Sequence, residues 1–268
     1  MAPRLVALDV DGTILDHRGV VSPRVVAALG RAVAAGAVVT LSTGRPPVAL
    51  DGVVPLLGGH ASYAVCGNGV SIHTLQDGWP LLHRASYPRP IADAVIRRAR
   101  DAFPGVGWAM TTEAGFGFES GFSALVPDPP PERHRLDDVL GLPGAVVHGM
   151  YAFDPARDVR ALTVAIGALL PDGLEAVYAG LPLVDVVRAG TDKSSGLAWL
   201  CEHLGFGAAD VIAFGDNVND HGMLQWAGRG VAMGNADAAT RALADEVAPP
   251  IEADGVAVVL ERVFGGNA

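Results

Sequence analysis

The sequence predicts an α/β protein, in which a parallel sheet forms the core and a smaller α+β unit is inserted into it. Four apolar runs each end in a cluster of polar residues, as strands do when their carboxyl ends face a site. A stretch with helical spacing lies between the first two runs. Strand, helix and strand in this order predict a βαβ unit and hence a parallel sheet.

The four predicted strands lie in both halves of the chain, and the first helix has clear boundary signals. The runs are LVALDVDGT (5–13), AVVTLSTGR (37–45), SYAVCGNGV (62–70) and ADVIAFGDNVND (209–220). Between the first two, SPRVVAALGRAVAAG begins with Ser22 and Pro23 and ends at Gly36, residues that favour a helix start and a helix stop.

The late part of the chain repeats the alternation of helices and strands. We expect a helix from near Thr191 to Gly205, a short helix in NDHGMLQWAG (219–228), a strand in RGVAMG (229–234) and a helix in ADAATRALADEV (236–247). The pattern therefore continues the sheet on the other side of the middle region.

The middle region differs in composition and predicts a separate unit. It is rich in proline, with YPRP at 87–90 and PDPPPE at 127–132, of which the second predicts a rigid loop. It also has helical spacing at 91–103 and 159–170. We therefore expect a core from 1–81 and 188–268, and an inserted α+β domain at 82–187.

Composition and charge exclude several classes of protein. The formal net charge of −10 argues against a general nucleic-acid binder, but not against an anionic substrate, since a metal ion supplies local positive charge. Cys66 and Cys201 have no metal-ligand spacing and are expected to be reduced, buried thiols. With no secretory signal and no long apolar span, the sequence predicts a soluble, cytoplasmic protein.

The residues at the predicted strand ends indicate chemistry on a phosphoryl group. Asp9, Asp11 and Asp216 are carboxylates, the oxygen ligands that Mg²⁺ prefers. Thr43 and Lys193 are of the types that bind phosphoryl oxygens. A hard cation, an anionic substrate and a carboxylate nucleophile together predict phosphoryl transfer.

Four motifs resemble those of the haloacid dehalogenase superfamily. They are DxDGT at Asp9–Thr13, a hydroxyl before GR at Thr43–Arg45, a lone Lys193, and GDxxND at Gly215–Asp220. The long insert, with NG at 68–69 and MGNA at 233–236, is similar to the Cof-like branch. The resemblance implies a Rossmann-like core with an α+β cap between the second and third motifs.

The resemblance also implies roles for individual residues. Asp9, at a strand end, is expected to attack phosphorus and give an aspartyl-phosphate, and Asp11 to act as general acid and then general base. The Mg²⁺ ligands would be Asp9, the Asp11 backbone carbonyl and Asp216. The expected phosphate or substrate contacts are Val10, Thr43, Gly44, Arg45, Lys193 and Asn219, and the expected supporting residues are Thr13, Asn68 and Asp220.

These expectations predict a Mg²⁺-dependent hydrolase of small phosphomonoesters, such as sugar phosphates or related metabolites. A phosphomutase that uses the same intermediate is an alternative, as is a non-catalytic protein that binds a phosphorylated metabolite. The inserted segment at 107–122 is expected to face the site, with Trp108 and Glu113 as candidate contacts, or else to form a sheet packed on the core. The expected partner is a small phosphorylated metabolite, without nucleic acid or membrane, and the oligomeric state stays open.

Overall fold

A computed structural model describes residues 2–122, 133–178 and 182–265, apart from the side chains of Val48 and Arg133. The predicted proline loop at 127–132 lies outside these residues. The chain forms two compact units. The core unit contains the residues up to His83 and those from Thr191 onward, and the inserted unit spans Arg84–Gly190. No helix in the described ranges has both the length and the apolar character needed to span a membrane.

The first part of the chain alternates strands with one helix. Its elements are β1 (Leu5–Leu8), α1 (Pro23–Ala34), β2 (Val38–Ser42), β3 (Tyr63–Cys66), β4 (Ser71–Thr74) and β5 (Leu81–Arg84). Helix α1 begins where the sequence predicts, because the Ser22 hydroxyl accepts a hydrogen bond from the Arg24 amide and Pro23 is in the first helical turn.

The inserted unit has two helices and seven strands among its described residues. They are β6 (Tyr87–Pro88), α2 (Arg89–Ala102), β7 (Gly107–Thr112), β8 (Gly115–Glu119), β9 (Arg133–Leu136), β10 (Val146–Phe153), α3 (Val159–Gly167), β11 (Leu174–Val177) and β12 (Val184–Arg188). The strand order is β11-β12-β10-β7-β8-β9, with β6 paired to β10. Among the described residues of this unit, the ladders are antiparallel except that between β8 and β9. The unit is thus α+β, as the sequence predicts.

The last part of the chain returns to the core unit. Its elements are α4 (Lys193–Leu204), β13 (Val211–Gly215), α5 (His221–Trp226), β14 (Arg229–Ala232), α6 (Ala238–Leu243), β15 (Glu246–Val247) and α7 (Gly255–Phe264). The prediction of one helix over 236–247 was wrong at its end: α6 stops at Leu243 and Glu246–Val247 pairs with β14 as a parallel edge strand. Tertiary pairing outweighs the helical preference of this segment.

The core sheet has the order β15-β14-β13-β1-β2-β3-β4-β5. The described ladders that join β15, β14, β13, β1, β2 and β3 in this order are all parallel. Strand β4 pairs with β3 in the antiparallel direction. Strand β1 lies between β2 and β13, so the chain order reverses beside it. In open α/β sheets such a switch point forms a crevice beyond the carboxyl ends of the strands, where ligands bind.

Both faces of β1 are buried, which explains its continuous apolar sequence. Val6 and Leu8 pack with α1 and α7, whereas Leu5 and Ala7 pack on the other face with residues of α4. Because successive side chains of a strand point to opposite faces, a doubly covered strand has no polar alternation. The two cysteines are free and buried, as predicted.

Candidate active site

The only lysine of the sequence, Lys193, is fully buried between two aspartates. Its Nζ donates to Asp9 Oδ1 and to Asp220 Oδ1, each at 2.6 Å. Asp9 directly follows β1, and Lys193 opens α4, whose N-cap Asp192 forms a capping box with Ser195. The sheet and the helix therefore bring together residues that are 184 positions apart in sequence.

Asp220 also organises the loop that follows β13. Its Oδ2 accepts hydrogen bonds from the backbone N–H groups of Asp216 and Asn217, at 2.9 and 3.0 Å. A Cβ on Gly215 would lie 2.5 Å from the Asp220 Cβ, so only glycine fits there. Asp220 thus fixes both the ammonium of Lys193 and the backbone that carries Asp216.

Asp216 follows β13 and is held in place by residues of the first motif. Its Oδ1 accepts a hydrogen bond from Thr13 Oγ1 at 3.2 Å. Gly12 has a φ of +83°, and a Cβ there would lie 2.3 Å from Asp216 Oδ2. The close approach of these two loops therefore depends on a glycine.

Asn235 is a neighbour of the site to which the sequence analysis gave no role. Its Nδ2 donates to the Gly12 carbonyl at 2.9 Å and lies 3.5 Å from Asp216 Oδ2, while its Oδ1 accepts from the Ile251 amide. The MGNA run at 233–236 contains this residue and was the signal that could have identified it.

The electrostatics of the cluster are unbalanced. Burial and the charge of Asp220 raise the pKa of Asp9 to about 8, despite the opposing effect of Lys193. Burial and Asp220 also raise the pKa of Asp216 to about 6. Burial alone would lower the pKa of Lys193, but the two aspartates outweigh it and raise that pKa above its usual value. If all three carboxyls ionise in this buried place, one ammonium cannot balance their charge, which is why the pKa values of Asp9 and Asp216 rise.

These carboxylates fit a hard divalent cation. Single oxygens of Asp9, Asp216 and Asp220 lie within 4.8 Å of one another. Asp220 already accepts three hydrogen bonds, from Lys193 and from two backbone amides, which leaves Asp9 and Asp216 as the carboxylates with more capacity to ligate. An all-oxygen donor set with uncompensated charge is suited to Mg²⁺.

Thr43, Gly44, Asn68 and Asn219 form a second group in the core unit. Thr43 is buried directly after β2, and its Oγ1 accepts from the Arg45 amide at 3.1 Å. Asn219 Nδ2 donates to Asn68 Oδ1 at 3.1 Å, and a Cβ on Gly44 would lie 3.3 Å from both polar atoms of the Asn68 amide. The loops after β2, β3 and β13 therefore meet at these side chains.

Asp11 and Arg45 pair with each other. Arg45 Nε and Nη2 donate to the two oxygens of Asp11 at 2.8 and 2.6 Å, and Nη1 donates to the Ala49 carbonyl at 3.1 Å. The Asp11 side chain is more than half exposed. The expected acid–base residue thus has both oxygens engaged, and the expected substrate contact Arg45 is its partner.

Val10 stabilises the turn of the first motif. It is fully buried, and its carbonyl accepts from the amides of Thr13, Ile14 and Leu15.

In the inserted unit, Trp108 is fully buried in an apolar cluster with residues of α2, and Glu113 accepts a hydrogen bond from the Val146 amide. Burial of Trp108 overturns its expected role as a substrate contact, because its spacing in β7 directs it to the helix-covered face.

The fold and the site together define a class of α/β protein. At the switch point of its parallel sheet, a lysine pairs with an aspartate, and a cluster of carboxylates is suited to bind a cation. The chain belongs to the haloacid dehalogenase-like hydrolases: the model of this family matches residues 6–260. The resemblance drawn from the motifs is thereby confirmed.

Solved structures of this superfamily have the same fold. A haloacid dehalogenase-like hydrolase from Bacteroides thetaiotaomicron is 23% identical with a TM-score of 0.79, over 98% of this chain and 100% of that one. The phosphatase BT1666 of the same organism is 24% identical with a TM-score of 0.77, over 98% and 96%. The subclass IIB sugar phosphatase BT4131 is 21% identical with a TM-score of 0.78, over 98% and 99%.

Proposed function

We propose that this protein is a Mg²⁺-dependent phosphatase of small phosphomonoesters, with sugar phosphates as the favoured class. The observation that carries the proposal is the contact of the buried Lys193 ammonium with Asp9, 2.6 Å away, in one cluster with Asp216. Family membership supports hydrolysis. The similarity to a second phosphatase supports the reaction, and the similarity to a sugar phosphatase supports the substrate class.

In this mechanism Asp9 is the nucleophile. It follows a strand held between β2 and β13, and its backbone N–H donates to the Phe214 carbonyl at 2.9 Å, so its position is fixed before substrate binds. Attack of an Asp9 oxygen on phosphorus breaks the ester bond and gives an aspartyl-phosphate, which water then hydrolyses. Lys193 holds the carboxylate and stabilises the negative charge that spreads over the phosphoryl oxygens.

Asp9, Asp216 and the Asp11 backbone carbonyl would hold Mg²⁺, and Thr13 and Asp220 orient this group. When bound, the cation neutralises charge on the phosphoryl group and on the carboxylates. Thr43 and the Gly44 backbone bind phosphoryl oxygens. Once the pair with Arg45 opens, the Asp11 carboxyl in its protonated form donates its proton to the leaving oxygen of the ester, and the resulting carboxylate then accepts a proton from the attacking water.

The organic part of the substrate would be recognised by the inserted domain, for which the sequence predicts the bounds 82–187. The candidate groups of the core unit are carboxylates, amides, hydroxyls, one guanidinium and one ammonium, which suit a phosphoryl group and a cation but distinguish little else. Selection among phosphomonoesters therefore needs residues outside this set.

The test combines a substrate screen with trapping of the intermediate. We expect free phosphate from p-nitrophenyl phosphate and from several sugar phosphates when Mg²⁺ is present, and about a 10³-fold or greater loss of kcat in Asp9→Asn. Asp11→Asn is expected to accumulate a phosphoryl group on the Asp9 peptide after acid quench, since the hydrolytic step lacks its base. The exposed Glu202→Gln on α4 removes one charge in the same unit and serves as the control.

Two results would contradict the proposal. Turnover retained in Asp9→Asn would remove the nucleophile. Conversion of a sugar phosphate into its isomer without free phosphate would indicate a mutase instead.

A further inference from the structure

Asn68 contains a buried donor without an acceptor. The residue is 8% exposed, and its Nδ2 has no hydrogen-bond partner among the described residues. Its Oδ1, in contrast, accepts from Asn219 at 3.1 Å, so the amide group is held in one orientation. Leaving a buried donor unsatisfied costs about 1–3 kcal/mol, and such groups in native proteins are few.

The backbone at Asn68 does not account for this side chain. Asn68 has a φ of +52°, between two glycines that also have positive φ. Asparagine tolerates this region better than most residues, but glycine adopts it more readily and would bury no donor. The choice of asparagine therefore points to a use for the amide.

The position of Asn68 is fixed by several of the loops that form the candidate site. Its backbone N–H donates to the Thr43 carbonyl at 3.0 Å, and its amide lies against Gly44. The following residue, Gly69, packs so closely on the loop before α4 that a Cβ would lie 2.1 Å from the Asp192 carbonyl oxygen. The donor is thus placed between the second motif, the start of α4 and Asn219.

We propose that Asn68 Nδ2 donates a hydrogen bond to a phosphoryl oxygen of the substrate, and that Asn219 orients the amide for this contact. A buried N–H group needs an acceptor. A phosphoryl oxygen is a strong acceptor, and it suits a site that also contains a threonine hydroxyl, a lysine ammonium and a second asparagine amide. The inference rests on the proposed function and adds a phosphate-binding residue to it. Asn68 then contacts the substrate and does more than support its loop.

The test uses inorganic phosphate as the probe, together with turnover of p-nitrophenyl phosphate. In Asn68→Gly we expect an unfolding free energy close to that of the wild type, because glycine suits the left-handed backbone and buries no unpaired donor, which offsets the lost hydrogen bond from Asn219. We expect inorganic phosphate to inhibit at about tenfold higher concentration, and kcat/KM to fall by about 10- to 100-fold. The matched control is Asp77→Gly, which makes the same change at an exposed residue with a φ of +44°.

A second variant separates the donor from the packing. Asn68→Asp keeps the size of the side chain and an acceptor for Asn219, but replaces the donor by an oxygen, and we expect it to weaken phosphate inhibition at least as much. Wild-type inhibition and kcat/KM in folded Asn68→Gly, or in Asn68→Asp, would overturn the inference. A wild type that binds phosphate but hydrolyses no ester would overturn the proposed function alone, because phosphate affinity in the variants still tests Asn68.

Discussion

Replacement of Lys193 by methionine is expected to destabilise the core unit strongly. The ammonium contacts Asp9 and Asp220 at 2.6 Å each, and Lys193 and Asp220 are both 0% exposed. Methionine fills much the same volume but leaves two buried carboxylates without their shared cation. Removing one partner of a buried ion pair costs about 3–5 kcal/mol, a large share of the about 5–15 kcal/mol that stabilises a typical protein.

The dependence of this loss on pH tests its electrostatic origin. Protonation relieves the repulsion between the two carboxylates, so we expect a larger loss at pH 8 than at pH 5. The measurement is equilibrium urea unfolding in EDTA, followed by tryptophan fluorescence and circular dichroism. The double variant with Asp220→Asn removes the uncompensated charge and should regain part of the stability at pH 8.

A loss below about 1 kcal/mol at pH 8 would refute this account of Lys193. So would an equal loss at both pH values, because cavity formation around a shorter or less well-packed side chain does not depend on pH.

Two further predictions concern the carboxylates of the site and the glycine beside them. Without metal, Asp9 and Asp216 have pKa values of about 8 and about 6, above the ordinary 3.8, so their contribution to stability is full below pH 4. This contribution is lost as pH rises through 6 and 8, so the free energy of unfolding measured in EDTA should decrease over that range. In Asp9→Asn the free energy of unfolding should depend less on pH above pH 6. Gly12→Ala should lower both stability and Mg²⁺ affinity, because its Cβ would meet Asp216. Gly19→Ala makes the same change at a similar φ, +75° against +83°, with open space around it, so calorimetry of the two variants isolates the effect of the contact with Asp216. Equal Mg²⁺ affinity in both variants would contradict this prediction.

Most of the core could be predicted because its signals are local. The strands before Asp9 and Thr43 are short apolar runs that end abruptly, and α1 and α4 have a cap at the start and a glycine at or just after the end. Parallel strands covered on both faces favour mostly apolar sequence, so the apolar runs and the polar clusters that follow them together identify these strands. The carboxyl ends then bring Asp9, Thr43 and Asp216 to one edge of the sheet.

Features that depend on long-range contact could not be read from the sequence. The segment around Glu246 has helical composition, but pairing with β14 makes it a strand. The ion pair between Arg45 and Asp11 joins side chains that are 34 residues apart in sequence. Nothing in either motif shows whether these two side chains pair with each other or contact a substrate separately. Trp108 stands in a segment rich in glycine and aromatic residues, where the face that each side chain takes depends on the register of β7.

The single lysine of this sequence allows local opening of the core unit to be measured by chemical modification. Every other side-chain cation is arginine or histidine, and the one lysine is fully buried. An amine-directed acylating reagent has two kinds of target, first the terminal amine and second the Lys193 side chain, and it should modify the side chain only when α4 separates from the sheet. The rate of that second modification measures how often the centre of the core unit opens, without any engineered label.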